Sequence, residues 1–167
     1  VVIAKRLIDE GAIGEPQTIQ VSVVDGDHPN AWPSVPRARK WRYDRTLNAG
    51  GPVVFDHGFH VFSIVMYLMG PVDEVMAWIG ESQGMFGVID RPALIAWKHR
   101  AHQRYGSWQS TGSRDMLVRS PYYADDELCH VIGSKGIVWV NRGDGPFTEN
   151  RTLLVEIARA QGRRPAP

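Results

Sequence analysis

The sequence predicts an α+β domain in which a mostly antiparallel, open sheet carries helices on one face. The order of its patterns is helix, strand, long loop and helix, followed by several strands in succession. The connections between the later strands are short and contain Gly, Asp and Ser, which is typical of antiparallel neighbours. With 167 residues the chain is long enough for one domain with a core. We expect this domain to span residues 1–160, with 161–167 as a disordered tail.

The first two elements follow from local patterns. A helix is predicted over residues 1–10 because four apolar residues recur on one face: Ile3, Ala4, Leu7 and Ile8. Gly11 is a suitable C-terminal cap for it. The alternating, β-branched run "TIQVSVVD" then predicts a strand over residues 17–25. Residues 26–51 contain three prolines and show no periodicity, so we expect a long loop, which is usually functional.

A second helix is predicted after Asp56. Its apolar residues have the spacing of a well-buried helix, and they are Phe59, Phe62, Val65, Met66 and Leu68. Gly70 and Pro71 are expected to end it.

The remainder of the sequence reads mainly as strands. The predicted strands are "VDEVMAWI", "ALIAWKHR", "RYGSWQST", "MLVRS", "ELCHVIG" and "GIVWVNR". The last element, "ENRTLLVEIARA", is predicted to be a helix over residues 149–160. Because "GIVWVN" is apolar on both faces of its strand, the sheet face without helices needs its own cover. We therefore expect a homodimer or homotetramer through that open face.

Composition and charge exclude several classes of partner. With 19 basic and 18 acidic residues, the net charge of +1 gives no electrostatic reason to expect a nucleic acid or an anionic membrane. The sequence contains no run of 18 apolar residues, so no membrane span is predicted. The single cysteine, Cys129, permits no intrachain disulfide and indicates a reducing, cytoplasmic location, with an inert buried thiol. Because the sequence opens inside a predicted helix without Met, we expect a fragment of a longer polypeptide.

Asp56 and His60 are the strongest candidates for chemistry. At positions i and i+4 of a helix they share a face, so a carboxylate could orient an imidazole that exchanges a proton with a substrate hydroxyl. The preceding Gly50 and Gly51 would allow a ligand close to the backbone. Two alternatives remain: Asp56 as a helix cap with His60 as a structural residue, or a metal site. The metal ligands would come from six residues: Asp56, His57, His60, His28, His99 and His130.

A family resemblance rests on three motifs in this order: "GAIGEP", the "GGPVVFDHGFHVFSIVMYLMG" block and "GSKGIVWVN". Over about residues 1–160 the chain resembles the C-terminal domain of the Gfo/Idh/MocA family of NAD(P)-dependent sugar and polyol dehydrogenases. The resemblance implies that Asp56 and His60 line a substrate site, with the histidine as proton acceptor, alone or together with a lysine, while hydride passes to NAD or NADP. It also implies an N-terminal Rossmann domain as partner, which supplies most of the cofactor site and a lysine.

The sequence departs from the complete family pattern in one respect. It contains neither a GxGxxG fingerprint nor an "EKP" motif, so no Rossmann domain is predicted within this chain and the isolated chain is expected to be inactive. A non-catalytic binding or scaffold domain of the same fold is therefore the main alternative.

The long loop offers further candidates for contacts with the substrate. Sugar sites often combine an aromatic face with charged groups, which here are Trp41, Arg42 and Asp44. Trp41 could equally anchor the loop on the core. The tryptophans of the predicted strands are expected to serve sheet packing or an interface, and they are Trp97, Trp108 and Trp139.

Overall fold

The computed structural model describes residues 1–26, 36–48, 50–84, 86–113, 125–142 and 153–157. Three helices lie within these residues: α1 (Val2–Asp9), α2 (Pro36–Tyr43) and α3 (Val54–Met69). The strands are β1 (Pro16–Gly26), β2 (Val72–Ile79), β3 (Ser82–Gly84), β4 (Gly87–Ile89), β5 (Ala93–His99), β6 (Tyr105–Ser113), β7 (Asp125–Gly133), β8 (Gly136–Arg142) and β9 (Leu153–Ile157).

Seven of these strands form one open sheet in the order β2-β5-β6-β1-β7-β8-β9, while β3 and β4 form a separate hairpin. Within the described residues, β1 and β6 are the one parallel pair of the sheet, with Val21 opposite Trp108. The other neighbours are antiparallel. The predicted α+β class with a mostly antiparallel sheet is confirmed.

The core lies between the sheet and the helices α1 and α3. Strand β5 alternates strictly, and its residues Ile95 and Trp97 are buried toward the helices. Trp108 on β6 and Val65 on α3 are also buried in the same apolar cluster. Each large apolar side chain buried in this way contributes roughly 1.5–3 kcal/mol to the stability of the fold. The prediction that helices cover one face is confirmed.

Two sequence predictions about individual elements are wrong. Residues 153–157 form strand β9, not part of a helix, because they pair with the edge of β8, where Leu154 lies opposite Trp139. The apolar spacing of this segment is compatible with both a helix and a strand, and pairing with β8 decides for the strand. The long loop contains helix α2, which local periodicity could not reveal because half of its residues are charged and it carries no apolar stripe. The predicted strand "MLVRS" lies outside the described residues.

Helix α3 is less buried than its composition predicted. Val65 and Leu68 face the core, but 61% of Phe59 and 44% of Met66 are exposed. The helix ends as predicted at Gly70, whose φ of +89° is a left-handed conformation that glycine adopts without strain. Within the described part of the chain, no helix has the length and apolar character needed to span a membrane.

Cys129 and the strand tryptophans lie as expected from their sequence context. Cys129 is on β7, and burial raises the pKa of its thiol to about 12, so the reactive thiolate is suppressed. Trp97 and Trp108 are buried in the core. Trp139 on β8 lies opposite His130, on the sheet face away from the helices.

His99 joins the end of α3 to the sheet. It is fully buried, its Nδ1 lies 2.8 Å from the Gly70 carbonyl oxygen, and the Trp97 indole N–H donates to its Nε2 at 2.9 Å. Because Nε2 accepts a hydrogen bond, Nδ1 carries the proton and the ring is neutral. Burial, with a smaller contribution from Arg104, lowers the pKa of His99.

This lowered pKa makes the stability of the fold depend on pH. An unfolded chain protonates His99 near pH 6.5, whereas the folded chain resists protonation. We therefore expect the free energy of unfolding to be fully retained above about pH 7 and to fall as pH decreases below 6.5, by at most about 1.4 kcal/mol per pH unit for each such histidine. Urea unfolding between pH 8 and pH 5 measures this slope.

His99→Gln is the matched variant for that measurement. It should be less stable than the parent at pH 8, because it loses the bonds to Gly70 and Trp97, but its stability should vary less with pH. The slope that remains should belong largely to His130, whose pKa burial also lowers. An unchanged slope in His99→Gln would contradict this assignment.

Candidate functional site

The candidate site is built around the N-terminus of α3, which is held by Asp90. Both oxygens of this carboxylate accept hydrogen bonds from the start of the helix, Oδ1 from the Val53 N–H at 2.7 Å and Oδ2 from the Phe55 N–H at 3.0 Å. Val53, the residue before the helix, provides no side-chain cap of its own. Asp90 is 3% exposed and follows β4, so a distant residue satisfies N–H groups that helices usually cap locally.

Gly51 allows this arrangement. A Cβ at position 51 would overlap the Asp90 carboxylate, and one at Gly50 would overlap the Phe55 ring. The sequence prediction was that these glycines admit a ligand. In the structure the groups that approach them closely are side chains of the chain itself, so the glycines serve to seat the head of α3.

Asp56 lies in the first turn of α3 and forms an ion pair with Arg42 from α2. Arg42 Nε and Asp56 Oδ2 are 2.9 Å apart, and their side chains are 22% and 11% exposed. A pair this shielded from solvent is screened less than a surface salt bridge. The Asp56 carboxylate is thereby fixed in position at the boundary between the two helices.

Helix α2 is fastened to the head of α3 by Asn48. The Asn48 side-chain amide donates to the Arg42 carbonyl at 2.9 Å and to the Gly51 carbonyl at 3.0 Å. Beside this contact, the Arg42 guanidinium lies 5.6 Å from the centre of the Trp41 ring, within the range of a cation–π interaction. Trp41 is 42% exposed, so part of its face remains open to solvent.

The two histidines of the block differ in their relation to Asp56. His57 Nε2 lies 3.8 Å from Asp56 Oδ2, and 39% of the His57 side chain is exposed. His60 is exposed and its ring centre is 3.8 Å from that of Phe59 and 6.3 Å from that of His57. Among the described residues no hydrogen bond joins Asp56 to His60. The structure thus brings Asp56 together with Arg42 and His57 and places His60 one turn further along the same helix.

Asp44 is engaged in a turn directly after α2. Its Oδ1 accepts hydrogen bonds from the backbone N–H of Thr46 at 2.9 Å and from the Thr46 hydroxyl at 2.6 Å. These two bonds are the main reason that the pKa of Asp44 is lowered, with a smaller contribution from Lys40. Of the three loop residues that the sequence singled out, Arg42 contacts Asp56, Trp41 lies beside Arg42, and Asp44 shapes the turn.

The described residues contain no cluster of three or more His, Cys, Asp or Glu side chains that could hold a metal ion. His28 lies outside them. His99 is buried at the opposite end of α3, and the ring of His130 is hydrogen-bonded to the Gln20 side chain at 2.9 Å. His99 and His130 thus lie on other elements than His57 and His60, which are both on α3.

Sequence reasoning missed two residues of this region, Asp90 and Asn48. Asp90 is 35 residues or more from the N–H groups that it binds, and no local pattern marks it as a cap. Asn48 lies in a loop where an asparagine is ordinary turn chemistry. Only the folded chain reveals that both residues hold the head of α3.

Comparison with known proteins identifies the domain type. The family model described as the GFO/IDH/MocA C-terminal domain matches residues 1–139. Among solved structures, levoglucosan dehydrogenase in complex with NADH and levoglucosan is similar with a TM-score of 0.65 and 23% sequence identity, over 96% of this chain and 41% of that one. A comparison with curated proteins finds no significant match.

Two further solved structures show the same similarity of fold. The WlbA dehydrogenase from Bordetella pertussis, in complex with NADH and UDP-GlcNAcA, has a TM-score of 0.62 and 21% identity, over 86% of this chain and 42% of that one. A putative oxidoreductase from Thermotoga maritima has a TM-score of 0.63 and 18% identity, over 93% of this chain and 42% of that one. The chain therefore spans about two fifths of the length of these structures.

The role of Asp90 can be tested by truncation. We expect Asp90→Ala to lower the free energy of unfolding by about 1–3 kcal/mol, because two N–H groups at a helix start lose a buried acceptor. Denaturant unfolding measures the loss. Asp73→Ala, which truncates an exposed aspartate on β2, is the control and should stay within about 0.5 kcal/mol of the parent. Equal effects of the two substitutions would contradict the capping role.

Proposed function

The chain belongs to the GFO/IDH/MocA C-terminal domain family, and from this membership we propose that it is the substrate-binding domain of an NAD(P)-dependent oxidoreductase that acts on a sugar, a polyol or a related hydroxylated molecule. The observation that carries the proposal is the head of α3. There Arg42 holds Asp56, and His57 directly follows Asp56 in the first turn of the helix. His60 lies one turn further along, and Trp41 presents an open aromatic face. These groups suit a ligand with hydroxyl groups and an apolar C–H surface.

In this proposal His60 is the proton acceptor. Oxidation of a secondary alcohol removes a hydride from carbon and a proton from the hydroxyl oxygen, so a base must lie within hydrogen-bonding distance of that oxygen. An exposed imidazole at position 60 can meet a substrate, and histidine is the side chain that most often transfers protons in enzymes. Asp56, held by Arg42, accepts a hydrogen bond from a neighbouring hydroxyl and orients the substrate.

The cofactor would be bound mainly outside this chain. The sequence has no GxGxxG fingerprint, which a dinucleotide site of the Rossmann type requires. NAD or NADP, on an N-terminal Rossmann domain, would accept the hydride. The part left to this chain is to bind the substrate hydroxyls at Asp56 and Arg42 and to hold the proton on His60.

A second candidate function is a non-catalytic small-molecule-binding or scaffold domain of the same fold. One observation favours it: the Asp56 carboxylate is paired with Arg42 and forms no hydrogen bond with His60 among the described residues. In that case the Arg42–Asp56 pair would shape a binding pocket, and His60 would have no chemical role.

We also propose that the sheet face away from the helices is covered by further copies of the chain. Buried Ile95 and Trp97 of β5 face the helices, so Leu94, the residue directly before Ile95, faces the other way. Its cross-strand partner Trp78 and the nearby Met76 lie on that face too, and 46–56% of these three side chains is exposed. Contiguous exposed apolar residues of this kind mark interfaces.

The role of His60 is tested in the full-length polypeptide that contains this domain. With NAD or NADP and a panel of sugars and polyols, we expect the parent to form reduced cofactor and His60→Ala to lose at least about 100-fold in kcat, because a positioned base contributes roughly 10²–10⁴-fold. Absorbance of the reduced nicotinamide measures the rate. A ligand-binding assay with the same panel should show that His60→Ala still binds substrate.

His102→Ala is the matched control, since His102 is an exposed histidine in the β5–β6 connection and should be dispensable. Full activity of His60→Ala would remove the proton-acceptor role. If the parent binds sugars but reduces no cofactor under any condition, the binding-domain alternative replaces the dehydrogenase.

The proposed interface is tested with two neighbouring residues of one strand. Met76→Glu places a charge on the helix-free face and should shift the protein toward monomers, because burying an unpaired carboxylate in an apolar contact is costly. Val75→Glu is the control, because Val75 points to the opposite face and is 57% exposed, against 55% for Met76. Sedimentation velocity measures the assembly state. Equal dissociation by both substitutions would place the interface elsewhere.

A further inference from the structure

Helix α2 and the turn after it carry an excess of positive charge beside the candidate site. Residues 36–48 contain five cations and a single acid, Asp44. The cations are Arg37, Arg39, Lys40, Arg42 and Arg45. Two of them reach acids from other elements: Arg42 pairs with Asp56, and Arg45 pairs with Glu81. Counting these partners, the segment still retains more cations than acids.

Arg37 and Lys40 provide this remaining charge on the outer side of the helix. Both are exposed, and neither forms an ion pair with any residue that the structure describes. Asp44 is the nearest acid identified on the same segment, and its carboxylate is occupied by the two hydrogen bonds from Thr46. Both cations therefore face solvent, and Lys40 acts on a described carboxylate only through its contribution to the lowered pKa of Asp44.

On helix α1, by contrast, the surface cations have acidic partners on the same helix. Lys5 is paired with Asp9, and Arg6 lies 3.9 Å from Glu10, each at the i, i+4 spacing. Such pairs are the usual companions of surface cations on helices. Helix α2 itself contains no acidic residue, so Arg37 has no partner at i+4, and Lys40 has at that spacing only Asp44, just beyond the end of the helix.

Arg37 and Lys40 lie on the same side of α2 as the aromatic part of the candidate site. In a helix, Arg37 is one turn from both Lys40 and Trp41, at i+3 and i+4, so the three side chains share a face. The next residue, Arg42, lies over the edge of this face against Asp56. The order along the surface is thus two cations, an exposed indole, and then the Arg42–Asp56 pair.

We propose that Arg37 and Lys40 make this domain selective for sugars or polyols that carry an anionic group, either a carboxylate or a phosphate. In this arrangement Trp41 packs on the C–H surface of the sugar, a hydroxyl reaches Asp56, and the anionic group extends outward to Arg37 and Lys40. The inference rests on the proposed function for the location of the sugar, but it concerns binding and does not require turnover.

The test uses the complete chain and compares four probes at equal ionic strength: glucose, glucuronate, glucose 6-phosphate and inorganic phosphate. The readout is the indole N–H resonance of Trp41 in a ¹H–¹⁵N spectrum, assigned with Trp41→Phe. From titrations of this resonance, we expect glucuronate or glucose 6-phosphate to bind with an apparent affinity at least about tenfold higher than that of glucose or phosphate alone. The affinity for the anionic sugar should fall as salt is added.

Arg37→Gln/Lys40→Gln should weaken binding of the anionic sugar about tenfold and leave the affinity for glucose unchanged. Lys5→Gln/Arg6→Gln on α1 is the control for loss of the same net charge and should not alter either affinity. A phosphate sugar that binds when the carboxylate sugar does not, or the reverse, identifies which anion is recognised.

Three results would overturn the inference: glucose binding as tightly as the anionic sugars, phosphate alone shifting Trp41 as strongly as the sugar phosphate, or no shift with any anionic probe. The first of these leaves the proposed oxidoreductase function standing with a neutral substrate. Conversely, selective binding of anionic sugars by a full-length protein that reduces no cofactor would support this inference while removing the oxidoreductase.

Discussion

The buried carboxylate of Asp90 is the constraint on which the candidate site depends. A helix that begins without a local cap leaves N–H groups unsatisfied, and each such group costs roughly 1–3 kcal/mol when it is buried. Asp90 satisfies two of them, at Val53 and Phe55, from the strand end that precedes β5. The position of the first turn of α3 relative to the sheet is therefore set by a contact between distant parts of the chain. Asp56 is carried by that turn.

The Arg42–Asp56 pair follows from this placement. Once α3 starts at Val54, its second turn continues toward the core, and Gly58 lies against Trp108. Asp56 is then left at the outer edge, where Arg42 can reach it at 2.9 Å. Asn48 holds the other side of this contact by bonding both Arg42 and Gly51. The ion pair and the two hydrogen bonds of Asn48 thus hold the charged segment that contains α2 against one side of the candidate site.

The two faces of the sheet differ in burial. The face with buried Ile95 and Trp97 is filled by α1 and α3 and provides the stability of the domain. The other face carries exposed Trp78 and Leu94, in keeping with the proposed assembly. The end of the sheet near Asp90 carries the candidate site. The candidate site and the exposed apolar face thus lie on different surfaces of the domain.

The sequence by itself determined the elements whose signal is local. Strands β2 and β8 and the end of α3 at Gly70 were predicted closely, because alternation and a helix-ending Gly–Pro pair are properties of neighbouring residues. The α+β class followed from the order of those elements, and Asp56 and His60 could be placed on one helix by spacing alone.

Only the tertiary structure decided the features that depend on distant partners. Strand β9 exists because β8 offers it an edge, and its sequence was compatible with a helix. Helix α2 has no apolar stripe to predict it and is fastened by Asn48 and by the ion pair with Asp56. Asp56 contacts Arg42 and His57 and is not hydrogen-bonded to His60 among the described residues, which spacing on one helix could not reveal. The physical reason is common to all three: these contacts depend on how separate elements lie against one another, and their energies arise only when the chain has folded.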